Sequence, residues 1–204
     1  MTQTQEKLAW LFVVLFSLIY SSIDPVADRL TWFMETVPVM IAIPILLVTH
    51  KNFPLTLISI RVITIFALIL IIGGHYTYAE NPLFNWIQDS LDLARNHYDR
   101  MGHFVQGVVP ALVGRELLLR TSPLQRGKWL FFLICAVSLA ISACYEFIEW
   151  WAALINAQAA EAFLGTQGDN WDTQWDMFLA LTGSIIAQLT LAKTQDKQLR
   201  DLVS

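Results

Sequence analysis

Long apolar blocks separated by short polar stretches run the length of this chain. They fall at about 8–23, 30–48, 55–72, 98–119, 129–154 and 172–192. A hydrocarbon core of about 30 Å asks for roughly 20 apolar residues per helical crossing, so each block predicts one membrane-spanning helix. The expected fold is all-α, a polytopic membrane helix bundle with about six transmembrane helices in a single integral membrane domain over residues 1–204. Lys7 precedes the first block as in a signal peptide. Tyr20 and Ile23 interrupt the Ser21-Ser22 pair, however, and no small-x-small cleavage site remains, so an uncleaved helix ending at Asp24-Pro25 is expected. Pro38 and Pro44 lie inside the second block, where neighbouring helices can satisfy the backbone groups that proline frees. The third block carries Arg61 near its first turns and ends at Gly73-Gly74-His75-Tyr76.

Between the third and fourth blocks, Asn81-Pro82 reads as an N-cap followed by a first-turn proline. Phe84, Ile87, Leu91 and Ala94 then recur at helical spacing opposite Gln88, Asp89 and Asp92. That pattern predicts a short helix over 82–95, lying either in the membrane interface or on the surface as an ordinary loop helix. The connection over 156–170 contains Gly165 and Gly168 but no Lys or Arg, and the polar tail over 193–204 is expected to fray.

Composition sharpens this picture. The chain is 55% hydrophobic and 15% charged, with a mean hydropathy of +0.50, whereas a soluble domain carries about 25% charged residues. The lipid bilayer is therefore the partner the pattern implies. A formal charge of -4 excludes the basic footprint of a nucleic-acid binder, and nothing in the sequence specifies a protein partner. Cys135 and Cys144 share one block; about 13 Å of helix axis separates them, too far for a disulfide, and they read as small buried residues. Six spans put both termini on one side. That side receives Lys7, Lys51, Arg61, Arg115, Arg120, Arg126, Lys128, Lys193, Lys197 and Arg200, against Arg29, Arg95 and Arg100 on the other. Ten against three predicts both termini in the cytoplasm, because Lys and Arg accumulate on the cytoplasmic face. The Trp pairs 150–151 and 171/175 then suit an outer interfacial belt.

With this topology the ionisable residues of the blocks converge on the outer end. Asp99 and His103 open the fourth block four residues apart, on one helix face, where an acid can orient an imidazole. Glu146 and Glu149 end the fifth block as neighbours; in low dielectric they repel unless a proton or a cation, such as Arg100 or a metal, lies between them. Asp172 and Asp176 repeat the four-residue spacing after Asp169, and one of these acids serves as an N-cap. Glu35 lies a turn into the second block, with Arg29 or Arg100 as possible partners. Asp99, His103, Glu146, Glu149 and Asp176 are thus the candidate catalytic groups, and His75, Arg100 and Asp172 the candidate substrate-binding groups. His and carboxylates together are compatible with a divalent metal without requiring one. No HExxH, CxxC pairing or Walker loop is present, and Ser142 and Ser184 read as helix-packing residues.

These stretches resemble the YjdF-type bacterial inner-membrane proteins, a family of unknown function. The residues that carry the resemblance are Gly74-His75-Tyr76, His97-Tyr98-Asp99-Arg100-Met101-Gly102-His103, Tyr145-Glu146-Phe147-Ile148-Glu149-Trp150, Gly165 through Asp172, and Trp175-Asp176-Met177. More distantly, Asp99, Arg100 and His103, then Glu146, then Asp172 and Asp176 are similar to the three motifs of VanZ-like proteins. Glu149 stands where those proteins usually carry Gln, and Phe178-Leu179-Ala180 where they carry Asn. The resemblance implies an envelope-facing role. Three readings follow. One is a site acting on an envelope lipid or other amphipathic substrate through His103 and Glu146, as acid–base or metal-binding groups. Another is a bundle whose charged cluster locks its packing and binds partners. The third is a small-solute or proton-coupled transporter, which would need polar groups continuing into the terminal half, where Arg61 alone stands out.

Overall fold

The structure is a computed structural model and describes residues 2–155 and 166–203; most of the connection expected over 156–170, including Gly165, lies outside the described residues. Among the described residues the chain forms seven helices: α1 (Gln3–Ser21), α2 (Arg29–Thr49), α3 (Leu57–Tyr76), α4 (Pro82–Leu91), α5 (Tyr98–Thr121), α6 (Lys128–Ile155) and α7 (Asp172–Val203). Four are long and apolar enough to cross a membrane, at Arg29–Thr49, Leu57–Tyr76, Lys128–Leu154 and Asp172–Leu202. In α1, Gln3, Gln5, Glu6 and Lys7 dilute the apolar run, and in α5 Asp99, Arg100, Arg115, Glu116 and Arg120 do the same.

The helix starts have local causes. Thr2 and Gln5 form a reciprocal capping box for α1, Asp28 accepts from the Leu30 and Thr31 amides of α2, and Asn81 accepts from Leu83 and Phe84 ahead of Pro82. Each satisfies amides that a helix start leaves without intrahelical partners. Two expected ends differ. Gly73-Gly74 does not stop α3; the chain leaves the helix at Thr77, whose φ is 67°. The glycines serve close approach instead. A Cβ on Gly74 would lie 3.1 Å from Glu35 Cβ of α2, and one on Gly73 would lie 2.7 Å from the Tyr78 ring. α4 ends at Leu91, because Asp92 turns left-handed at φ 49°, so Ala94 and Arg95 lie beyond the helix expected to contain them.

Cross-helix bonds show that the helices alternate in direction. At the end bearing the termini, Lys7 Nζ donates to Leu55 O at 2.9 Å and Arg61 Nε to Glu6 at 2.7 Å. At the opposite end, Ala27 N donates to His75 O at 3.0 Å, and Tyr98 Oη to Ile69 O at 2.7 Å. Val14, Val39, Ile71, Tyr78 and Tyr98 belong to one apolar core, and Ala111, Leu130, Ile134 and Ala187 form a second. Phe12, Phe16, Ile45, Val48, Phe132, Phe178 and Leu189 point outward from the bundle, an exterior that needs hydrocarbon around it. α5 and α7 meet most closely, around Gly107, Ala180 and Gly183. Ser138 Oγ donates to Ser184 Oγ at 2.9 Å between α6 and α7, a packing role for Ser184, and Ser142 is fully buried in α6. Both cysteines are free, but Cys144 is exposed rather than buried, because its face of α6 turns outward.

The tail does not fray over its described residues, which stay helical to Val203. α7 continues through it because Gln195 is fully buried and bonds to Leu112 O at 2.7 Å, to Ser59 Oγ and to Glu116. The buried Glu116 carboxylate also accepts from the Thr56 amide at 3.1 Å, from the Thr56 hydroxyl and from the Ser59 hydroxyl at 2.5 Å. Arg115 reaches Gln195 at 2.9 Å and Asp196 at 2.7 Å. The terminal half therefore holds a polar network that the sequence reading did not anticipate, while Arg61, singled out there, sits half-exposed against Glu6. Glu116→Gln puts an amide where donors converge, and it is expected to cost about 1–3 kcal/mol through donors left unmatched. Thermal melting in detergent measures this, and an unchanged midpoint would show that the network contributes nothing.

Candidate functional site

The site is built on the first turns of α5. Asp99, His103 and Gln106 fall on one face of that helix, and all three are buried. α6 brings Tyr145, Glu146 and Glu149 from its C-terminal part, while α7 brings Asp172 and Asp176 and α2 brings Glu35 from their N-terminal turns, so the site lies at one end of the bundle. Glu35, Glu146, Glu149, Asp172 and Asp176 are each at most 8% exposed, a burial carboxylates tolerate only with partners.

His103 is the centre. Its Nδ1 lies 3.0 Å from Gln106 Oε1; an amide oxygen only accepts, so Nδ1 carries the proton and donates. On the same side of the ring Glu146 Oε1 lies 3.9 Å away. Nε2 faces Asp99 Oδ1 at 3.4 Å and Asp176 Oδ2 at 3.9 Å. The Tyr145 ring meets the imidazole edge-on at 6.2 Å. Among the described residues, Asp99 Oδ2, Glu146 Oε1, Asp176 Oδ1 and Glu35 Oε2 have no hydrogen-bond partner. A cavity of about 20 Å³ lies between Glu35, Tyr78, Asp99, His103, Gln106 and Tyr145. Burial above all, then the Glu35 carboxylate, pushes the Tyr78 phenol well above its usual range, so Tyr78 stays a donor facing Glu35.

A layer of ion pairs closes the site on its loop side. Arg95 pairs closely with Asp172, lies 3.6 Å from Asp169, and is 3.9 Å from Asp99. Arg100 pairs with Asp169 at 2.5 Å and stacks on Trp175 at 5.3 Å. The cation expected between Glu146 and Glu149 is therefore not Arg100, whose guanidinium is drawn to the loop acid, and Glu35 meets neither Arg29 nor Arg100 in any described contact. Asn96, fully buried, holds the layer: its backbone exchanges 2.9 Å hydrogen bonds with Gln167, and its side chain reaches Asn85 at 2.6 Å. Asp169 also accepts from the Trp171 amide at 2.9 Å, as a capping acid does. Burial first, then Arg100 and Arg95, holds His97 below the usual imidazole range, and it stays neutral here.

Of the expected residues, the structure thus brings Asp99, His103, Glu146 and Asp176 together, with Glu149 buried one turn from Glu146 and Asp172 held by Arg95. His75 is not brought to them; its Nδ1 bonds to Ser21 O at 3.0 Å, where it fastens the end of α1. Sequence reasoning missed Gln106, Tyr145, Tyr78 and Arg95. The signal for Gln106 was its place three residues after His103 on one helix face, whereas Arg95 lies in the loop before α5, where helical spacing gives no signal.

Comparison with known proteins agrees with the membrane reading. A family profile described as a predicted membrane protein, DUF2238, matches residues 6–197. The inner membrane protein YjdF of Escherichia coli (strain K12) is 51% identical over 183 residues, covering 90% of this chain and 87% of that protein. No solved structure matches.

Proposed function

The chain belongs to the DUF2238 family of predicted membrane proteins, and from that premise we propose a six-span inner-membrane protein whose site at the outer face binds or acts on the polar head of an envelope lipid or similar amphipathic molecule. The observation that carries this is His103, a buried imidazole with carboxylates on both sides and carboxylate oxygens beside it that lack hydrogen-bond partners. Ionisable groups at membrane depth are costly and mark functional sites by default. In this reading His103, Asp99, Glu146, Glu149 and Asp176 hold or move a proton, while Asp172 and Arg100 face the polar head. Exposed Trp150, Trp151, Trp171 and Trp175 surround this end, and Leu83, Trp86 and Leu91 give α4 an outward apolar face; both features suit a membrane interface.

The outer placement rests on the ten-to-three distribution of basic residues. A reporter after Ser204 and another inserted after the exposed Glu80 are expected on opposite faces, with the first in the cytoplasm; both on one face would remove the six-span arrangement. Function is tested by lipid extracted from the purified chain. The expected result is polar lipid retained by wild type and several-fold less by Glu146→Gln and Asp176→Asn, each still folded and melting cooperatively. Equal retention by all three would favour the second reading, a bundle lock, for which the Arg95 and Arg100 ion pairs speak.

A further inference from the structure

The contacts of His103 Nε2 have the wrong length for hydrogen bonds. An N–H···O bond spans about 2.7–3.2 Å, whereas Nε2 stands 3.4 Å from Asp99 Oδ1 and 3.9 Å from Asp176 Oδ2. Two ligand atoms each about 2.1 Å from one ion lie about 3.4 Å apart at the tetrahedral angle. One ligand atom from each of Asp99, His103 and Asp176 lies within 4.8 Å of the others, and all three residues are buried.

Three further observations point to a cation. With Nδ1–H donated to Gln106, Nε2 is the ring atom that faces two carboxylates, and acids gathered in this way repel unless a positive charge lies among them. A hydrogen bond at the other ring nitrogen is also how ligand histidines are held in the metal-binding tautomer. Asp176, 2% exposed, presents Oδ2 to Nε2 and keeps its other oxygen, Oδ1, without a hydrogen-bond partner. Finally, the two guanidiniums are engaged by Asp172 and Asp169, which leaves Glu35, Asp99, Glu146, Glu149 and Asp176 to share one imidazole and the more distant edge of Arg95.

We propose that Nε2 of His103 and the carboxylates of Asp99 and Asp176 bind a divalent transition-metal ion, with a water in the adjoining cavity as a further ligand. The cavity, about 20 Å³, exceeds the roughly 10–15 Å³ that one water needs. An imidazole nitrogen with two carboxylates selects a transition metal over Ca²⁺, which takes six to eight oxygens, and over Mg²⁺, which keeps several waters. Zn²⁺ suits three protein ligands and one water. The site is the one in the lipid reading, but the inference stands without it, because metal content and lipid retention are measured separately.

The experiment uses the full chain purified in detergent, stripped with a chelator and titrated with Zn²⁺ alone, then with Mn²⁺, Mg²⁺ and Ca²⁺. Bound metal is counted by elemental analysis, and melting is followed in parallel. Wild type is expected to hold about one Zn²⁺ or Mn²⁺ per chain and to melt at higher temperature with it, because binding only the folded state stabilises it. Asp99→Asn, Asp176→Asn and His103→Gln are expected to melt cooperatively yet bind at least about ten-fold more weakly. A folded wild type that takes up no transition metal overturns the inference. So does preference for Mg²⁺ or Ca²⁺, or unchanged binding in Asp176→Asn. Metal bound with lipid retention indifferent to the site variants keeps the ion and removes the lipid reading.

Discussion

Gly183→Ala is expected to prevent α5 and α7 from closing on each other. A Cβ at Gly183 would lie 2.0 Å from the Phe104 carbonyl oxygen, and one at Gly107 would lie 1.8 Å from the Ala180 carbonyl oxygen. Both obstacles are backbone, so no side chain can rotate away, and the helices would have to separate along the seam that contains Gly107, Ala111, Ala180 and Ala187. Packing between membrane helices depends on such close approach, because lipid offers little hydrophobic force to drive them together. Overpacking of a core costs about 1–3 kcal/mol where side chains can adjust, so the rigid clash here is expected to exceed about 3 kcal/mol. Gly114→Ala is the control. Its Cβ would meet only the Ile134 Cδ1 atom at 3.2 Å, the movable end of a side chain, and the cost is expected below about 1 kcal/mol. Melting in detergent with a check for monodisperse protein compares the two. Equal midpoints for Gly183→Ala and wild type would mean that the helices do not cross this closely.

The second large effect is expected at the site. His103→Gln and Glu146→Gln each remove one member of a buried cluster whose groups stand 3.4–3.9 Å apart. Losing His103 leaves Asp99, Asp176 and Glu146 facing each other without their shared imidazole, and breaking a buried charged network costs about 3–5 kcal/mol. Losing the Glu146 charge relieves part of the same repulsion, so the double variant is expected to cost less than the sum, with a coupling of about 0.5–3 kcal/mol. A cycle additive to within about 0.5 kcal/mol would show that the two side chains act separately. Metal content and lipid retention measured on the same four proteins separate catalysis or binding from a lock, since a lock changes the melt alone.

The apolar blocks located the long helices to within about five residues except at the end of α7, and the Asn81-Pro82 pair located the start of α4. Both are local signals: block length is matched to the thickness of hydrocarbon, and a cap is a bond between near neighbours. The end of α4 was misread because Phe84, Ile87, Leu91 and Ala94 keep helical spacing past Asp92, and spacing does not reveal a left-handed turn. The tail was misread because its polarity resembles a solvated end. Gln195 finds its partners on α3 and α5 instead, tens of residues away in sequence. Cys144 was misread for a related reason: in a bilayer the outward face of a helix is as apolar as its packed face, so composition does not tell the two apart.

What the sequence by itself determined is which residues share a helix face and which share an end of the helix bundle. Asp99 and His103 must be neighbours because four residues make about one turn, and alternating helices must bring Glu146 and Asp176 to the same end as those two. Only the tertiary structure decided which charge meets which. Arg95 turns inward to Asp172 because Asp92 ends α4 and Asn96 is anchored to Gln167, while Arg100 turns to Asp169 and leaves the glutamates of α6 to His103. Those choices depend on the rotation of each helix about its axis and on the path of the loops. The close crossing at Gly107 and Gly183 sets that rotation for α5 and α7, and no periodicity along the chain encodes it.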